Sequence, residues 1–444
     1  MLYATLVEFG FCTCGAKHER RQELGFFSTQ EMRTTLAVEG CCHGDLDRIY
    51  EVLGEIQHRN SIRADFMICC GDFQAIRTDE ELESLACPSV YRHLKDFHKY
   101  WRGDSIPRCL TLFVGGNHEA PGHLREMYFG GYASKDIFYL GASGVFRVNG
   151  LRIAGLSGIY KSHDLDKPIF EAPPYNENTK RSAYHVRRFE MNKLMQIQEP
   201  VDIVVSHDWP TGITDFGDTE TLLRLKDKTG QLRSEINSGQ LGNPHTMAML
   251  KKLKPKFWFA GHMHIKYSAL YEHEDGSITR FLALDKCIPR RPFLQLLSVD
   301  ENANLIQHSQ GTPRSEPAQV CLDLEWLAIL KKSNDIFPVP GNEGRGTPSP
   351  VTRDDVEAVR KLLRESKANP KPIETAEGHF VMPQFGQVFP GDDKYRRWIC
   401  DILEMRDRLG DTTRIAHVPI PAAPPPAAES STGENGDILF YEDA

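Results

Sequence analysis

Five short apolar runs, each ending in residues that can bind a metal ion, constrain this 444-residue chain more than any other feature. They are Thr35 to Val38, Phe66 to Cys70, Leu110 to Val114, Ile203 to Val205 and Phe257 to Ala260, each of a length suited to a buried strand. After them stand, in order, Gly40-Cys41-Cys42-His43-Gly44, Gly71-Asp72, Gly115-Gly116-Asn117-His118-Glu119, Ser206-His207-Asp208 and Gly261-His262-Met263-His264. Helical patterns lie between. Asp45 is placed to cap a helix whose Leu46, Ile49, Tyr50, Leu53 and Ile56 form one apolar stripe, and Asn243-Pro244 opens another before the fifth run. This is an α/β layered pattern. In an open α/β sheet the loops beyond the carboxyl ends of the strands face one crevice, so clusters far apart in sequence can converge.

The residue types suit metal-assisted hydrolysis. Imidazole, carboxylate and amide oxygen bind Zn²⁺, Fe²⁺ or Mn²⁺, and one Asp can bridge two divalent ions roughly 3.5–4 Å apart. Such a pair acidifies a shared water and stabilises charge on phosphoryl oxygens during in-line displacement. Glycines beside the ligands permit tight strand-to-loop turns.

The order x-His, Gly-Asp, Gly-Asn-His-Glu, a lone His and Gly-His-x-His resembles the calcineurin-like metallophosphoesterase superfamily, across residues 33 to 290. That resemblance implies a metallophosphoesterase β-sandwich flanked by helices in place of one open sheet. Where the superfamily normally begins Asp-x-His, this chain has Cys41-Cys42-His43. A cysteine there, within Gly-Cys-Cys-His-Gly-Asp-Leu-Asp, is similar to the RNA lariat debranching enzymes. Further similar stretches are residues 69 to 75, 115 to 120, 157 to 164, 173 to 176, 206 to 210 and 282 to 287.

The debranching resemblance implies two sites for divalent ions, Fe²⁺, Zn²⁺ or Mn²⁺. One uses His43, Asp72 and His264 with Cys41 nearby; the other uses Asp72, Asn117, His207 and His262, so that Asp72 bridges. His118 would protonate the leaving oxygen as general acid. A metal-bound hydroxide would attack the 2′,5′-phosphodiester at the branch of an excised intron lariat RNA, linearising the intron for turnover and leaving a 2′-hydroxyl and a 5′-phosphate. Nuclear residence follows from the same resemblance.

By the same token, residues 157 to 187 would form a lariat recognition loop inside a catalytic domain spanning 33 to 300. Tyr160, Tyr175 and Tyr184 offer faces for unpaired bases, and Lys161, Lys180 and Arg181 offer cations for phosphates. From the residues alone this stretch reads as a surface loop of near-balanced charge. His163 and His185 read as surface or hydrogen-bonded histidines. Asp208 reads as orienting the His207 ring or a neighbouring backbone group, and Cys42 as core. Arg290 and Arg291 suit either phosphate contacts or a solvated turn.

A formal net charge of −8 argues against a protein that coats nucleic acid by bulk electrostatics, so any RNA site is local. The 11 cysteines, with Cys41-Cys42 and Cys69-Cys70 adjacent, do not form a secreted disulfide framework and point to a reducing interior. No run of about 18 apolar residues spans a bilayer, and no membrane partner is expected. Residues 1 to 32, with Cys12, Cys14 and His18, read as a poorly ordered N-terminal extension or as a start site placed too early. Residues 318 to 412 read as a small C-terminal accessory region that braces the catalytic domain or receives a protein partner. Its helices are expected at Leu322 to Lys332, Asp354 to Ser366 and Lys394 to Leu409, with a Gly/Pro-rich loop from Pro338 to Pro350. Residues 413 to 444 read as a disordered acidic tail.

Two rival readings remain at this level. Another hydrolase of the same fold, a phosphoprotein phosphatase or DNA nuclease, would normally keep Asp at position 41. A non-catalytic scaffold would have lost ligands that are all present here.

Overall fold

The computed structural model describes residues 32–342, 346 and 348–410. Cys12, Cys14, His18 and the tail from 413 lie outside the described residues, as does part of the Pro338 to Pro350 loop. Strands β1 (Met32–Glu39), β2 (Phe66–Cys69), β3 (Leu110–Phe113), β4 (Gly131–Ser134) and β5 (Ile137–Tyr139) build one sheet. The chain then crosses to a second sheet with β6 (Ser143–Val148), β7 (Leu151–Leu156), β8 (Ile203–Ser206), β9 (Phe257–Ala260), β10 (Tyr267–Glu272) and β11 (Ile278–Ala283). It returns to the first with β12 (Leu294–Val299) and β13 (Thr312–Pro313), and ends in the second with β14 (Val320–Leu322), β15 (Ile373–Glu374) and β16 (Phe380–Val381).

The five expected strands are β1, β2, β3, β8 and β9, but they do not share one open sheet. The first three pair in parallel in a sheet ordered β12-β1-β2-β3-β5-β4. The last two belong to the sheet β10-β11-β9-β8-β7-β6-β14-β16-β15, where β7, β8, β9 and β11 run parallel. The chain changes sheet between β5 and β6, where Gly141 takes a φ of 88°, and the antiparallel hairpin β6–β7, turning at Asn149 and Gly150, both at positive φ, lies wholly in the second sheet. One contiguous apolar core takes in Leu36, Ile68 and Leu112 from the first sheet and Ile153, Val204 and Phe259 from the second. The two-sheet arrangement with flanking helices is the one the superfamily resemblance implies.

This arrangement brings two sets of loops to one rim. Cys41, after β1, bridges to Lys286, after β11, with Cys41 N donating to the Asp285 carbonyl at 3.3 Å. The helix Leu46–Asn60 buries the predicted stripe together with Val52. Asp45 occupies its N-cap position, but its carboxylate makes no capping hydrogen bond and pairs instead with Lys95 Nζ at 3.0 Å. Asn243 does cap the helix Pro244–Leu253, accepting from His245 N at 3.0 Å. Among the described residues every cysteine is a free thiol, and no helix is long and apolar enough to cross a membrane.

Beyond residue 318, β14 pairs with β6 and so continues the second sheet. Helices cover Leu324–Ser333, Arg353–Glu365 and Lys394–Ile402. The last stops short of Leu409, with Glu404 at a φ of 52°. Asp323 caps the first of these, accepting from Trp326 N at 3.0 Å. The same carboxylate takes both prongs of Arg152 from β7, at 2.8 and 2.7 Å, and Arg152 also reaches Glu325 at 2.8 Å. All three side chains are buried. Arg152→Ala therefore leaves the buried Glu325 without a cation and Asp323 with only Arg147 Nε at 3.2 Å, and a loss of about 3–5 kcal/mol in urea unfolding is expected. A loss below about 1 kcal/mol, typical of an exposed pair, would show that this contact does not hold the C-terminal region to the sheet.

Candidate metal centre

All seven expected ligands meet where the two rims join. Cys41 and His43 come from the loop after β1, Asp72 from that after β2, and Asn117 from that after β3; His207 follows β8, and His262 and His264 follow β9. His43, Asp72, His262 and His264 adopt φ values of 48°, 48°, 65° and 47°, the left-handed region that costs a non-glycine residue of order 1–3 kcal/mol. Loop-to-loop hydrogen bonds hold them there: His43 N donates to the Asp72 carbonyl at 2.7 Å and His118 N to Asp72 Oδ1 at 2.9 Å. Two glycines are required by space. A Cβ on Gly71 (φ 115°) would lie 2.2 Å from His207 Nδ1, and one on Gly116 would lie 2.1 Å from Asp72 Oδ1.

The protons identify what the site is built to hold. His207 Nδ1 lies 2.8 Å from the Cys70 carbonyl, which can only accept, so Nδ1 carries the proton and Nε2 presents a lone pair. That lone pair faces Asn117 Oδ1 at 3.1 Å and Asp72 Oδ1 at 3.3 Å. On the other side, His43 Nε2 lies 3.1 Å from His264 Nε2 and 3.6 Å from Asp72 Oδ2. Burial pushes His43 and His262 down to about 3 and His264 lower still, so these rings are neutral at physiological pH. Burial alone would raise the Asp72 carboxyl, yet the surrounding histidines hold it well below the usual carboxylate range. Imidazole nitrogens and an amide oxygen thus crowd both sides of one carboxylate, a donor set that suits two divalent cations with Asp72 shared between them.

Cys41 stands with His43, Asp72 and His264 in a group whose ligand atoms all lie within 4.8 Å of one another. Its Sγ accepts from His262 N at 3.0 Å. Burial and then Asp72 push its thiol up, so a bound cation is what would ionise it. Cys42 is core. His118 lines the adjacent cavity, its ring 5.3 Å from that of His43 and outside the ligand group. Glu119 braces the loops: it accepts from Phe73 N, Gln74 N and Gly116 N at 2.6, 2.8 and 3.1 Å. Asp208 contacts backbone rather than the His207 ring, accepting from Tyr160 N at 3.0 Å and Trp209 N at 2.9 Å.

A cavity of about 1070 Å³ opens over these residues. Of the six expected RNA contacts, Tyr160, Lys161, Arg181 and Tyr184 line it. Tyr175 and Lys180 do not. Tyr175 lines a separate cavity with Arg125 and Tyr128. On the helix Glu177–Ser182, Lys180 is turned about 100° from Arg181 and binds Glu177 at 2.7 Å. Further lining residues, missed in the sequence, are Tyr91, Arg92, His93, Lys95 and Lys286. Their signal was the run Tyr91-Arg92-His93, an aromatic followed by a cation and an imidazole. Arg291 pairs with Asp285 at 3.4 Å, and neither it nor Arg290 lines the cavity.

Residues 34–266 match the family described as calcineurin-like phosphoesterase, which implies divalent metal ions, and residues 276–398 match the family described as lariat debranching enzyme, C-terminal domain. The chain is 43% identical over 336 residues to a lariat debranching enzyme of Arabidopsis thaliana, covering 76% of this chain and 77% of that one. It is 42% identical over 349 residues to the Gallus gallus lariat debranching enzyme, covering 76% and 62%. Against the Homo sapiens lariat debranching enzyme it is 44% identical over 312 residues, covering 69% and 55%.

Proposed function

The chain belongs to the lariat debranching enzymes, within the calcineurin-like phosphoesterases, and from that premise we propose that it hydrolyses the 2′,5′-phosphodiester at the branch of excised intron lariat RNA in the nucleus. The observation that carries this reading is the cluster of imidazole nitrogens and amide oxygen around Asp72, beside a cavity lined by aromatic and cationic side chains.

His43, Asp72 and His264, with Cys41 beside them, would hold one ion, and Asp72, Asn117, His207 and His262 the other, as Fe²⁺, Zn²⁺ or Mn²⁺. When bound, the ions supply an acidified water and charge stabilisation for the phosphoryl oxygens. The two oxygens of Asp72 face different histidines, Oδ2 towards His43 Nε2 at 3.6 Å and Oδ1 towards His207 Nε2 at 3.3 Å, so this carboxylate would be shared between the two sites. Oxygen from water bonds to phosphorus, the bond from phosphorus to the 2′ oxygen breaks, and His118 delivers the proton that the leaving 2′ oxygen needs. Tyr160 and Tyr184 offer stacking faces to the splayed bases around the branch, and Lys161 and Arg181 meet its phosphates.

A competition assay tests the substrate. Purified protein loaded with each metal in turn is offered a branched RNA, a linear 3′,5′-linked RNA and a phosphopeptide. Cleavage confined to the branch, with a 2′-hydroxyl and a 5′-phosphate as products, is expected. Equal or faster cleavage of the linear RNA or the phosphopeptide would sink the proposal in favour of a general nuclease or phosphatase.

A further inference from the structure

The segment from residue 157 to 187 leaves the second sheet after β7 and comes back beside its own start. Ile159 bridges to His185, with Val186 N donating to the Ile159 carbonyl at 2.9 Å. Asp164 lies near the start of this closure and His185 at its end. Asp164 Oδ2 sits 2.6 Å from His185 Nδ1 and 3.4 Å from His163 Nε2. One ligand atom from each of the three residues lies within 4.8 Å of the others. Bonds of about 2 Å to imidazole nitrogen and carboxylate oxygen place the ligand atoms of a tetrahedral zinc site about 3.3 Å apart, and the two observed spacings bracket that value.

We propose that His163, Asp164 and His185 hold a Zn²⁺ ion, with water as fourth ligand, and that this ion fixes the conformation of residues 157–187. Two imidazoles and a carboxylate are a donor set suited to zinc, and none of them belongs to the candidate metal centre. Asp164 and His185 are buried while His163 is 65% exposed, so two ligands are held in place and the third closes from the solvent side. Burial lowers His185 to about 4, against the pull of Asp164, leaving its ring neutral and able to ligate at physiological pH. Lys167 Nζ binds the other oxygen, Oδ1, at 2.7 Å and leaves Oδ2 to be shared between the histidines. Without an ion, the exposed His163 adds a 3.4 Å contact to Asp164 and an edge-on ring contact to His185, at 5.6 Å between centroids, to a closure that Asp164 and His185 already make. With one, the start and end of the segment are clamped before RNA arrives, which lowers the ordering cost of binding.

The test uses the full chain. Wild type, His163→Ala and Asp164→Asn are each equilibrated with micromolar Zn²⁺, and bound zinc is counted by mass spectrometry. Wild type is expected to retain one equivalent more than either variant, and Zn²⁺ is expected to slow tryptic cleavage within 157–187 several-fold in wild type only. Equal zinc counts in wild type and both variants would overturn the site. Equal protection with and without Zn²⁺ would overturn its effect on the segment. The count does not depend on the debranching assignment, so failure of one is distinguishable from failure of the other.

Discussion

Asp72→Asn is expected to release at least one ion and to lower turnover of branched RNA by at least about 10²–10³-fold, the scale seen when a single group that stabilises transition-state charge is removed. The substitution preserves shape. Asn Oδ1 can still accept from His118 N, which lies 2.9 Å from Asp72 Oδ1. Its Nδ2, however, then takes the place of Oδ2 and becomes a donor pointed at His43 Nε2, which faces that oxygen at 3.6 Å. One imidazole lone pair then acquires a proton partner, and the negative charge between the two histidine sets is gone. Metal analysis and kcat/KM on branched RNA give the two readouts. A variant that keeps both ions and near wild-type turnover would remove Asp72 as the bridge.

The second expectation separates chemistry from metal binding at a neighbouring residue. His118→Ala should retain the full metal complement and lose about 10²–10⁴-fold in kcat on branched RNA, the usual contribution of a general acid. An aryl phosphodiester, whose leaving group departs without a proton, should lose far less. The basis is position: the His118 backbone is tied to Asp72, while its ring lines the cavity outside the ligand group. Metal loss in this variant would make His118 a ligand, and equal losses on both substrates would assign it a role other than proton delivery.

The ligands were legible in the sequence because each follows a buried strand that is locally apolar and ends in glycine and polar residues. Period and composition report such ends well. How strands are shared between sheets is a long-range property, and runs alone suggested one sheet where there are two. The change of sheet falls between β5 and β6, where only Gly141, at a φ of 88°, marks the chain, whereas the more legible Asn149-Gly150 turn joins two strands of the same sheet. Within the loop of residues 157–187, residue type was a fair guide and register was not. Lys180 and Arg181 are both cations, but helical rotation sends only Arg181 to the cavity. The wall containing Tyr91 to Lys95 includes only a short 3₁₀ turn, Ser89–Tyr91, with no apolar run to mark it. His163 and His185 looked isolated because the residue that joins them, Asp164, is an ordinary acid until the fold buries it.

The match to the phosphoesterases stops at residue 266 and the match to the debranching C-terminal domain starts at 276. That interval contains β10, which pairs along its whole length with β11 beyond it, and β11 in turn pairs with β9. The seam between the two recognisable families therefore runs through the middle of a hairpin. Cutting the chain there would leave β9, a strand with hydrophobic faces, as a raw sheet edge ready to recruit another chain. It would also remove Lys286 and the bridge to Cys41 from the cavity rim. The phosphoesterase part is thus no self-standing module to which a second piece was appended; its active rim is closed by residues from the other side of the seam.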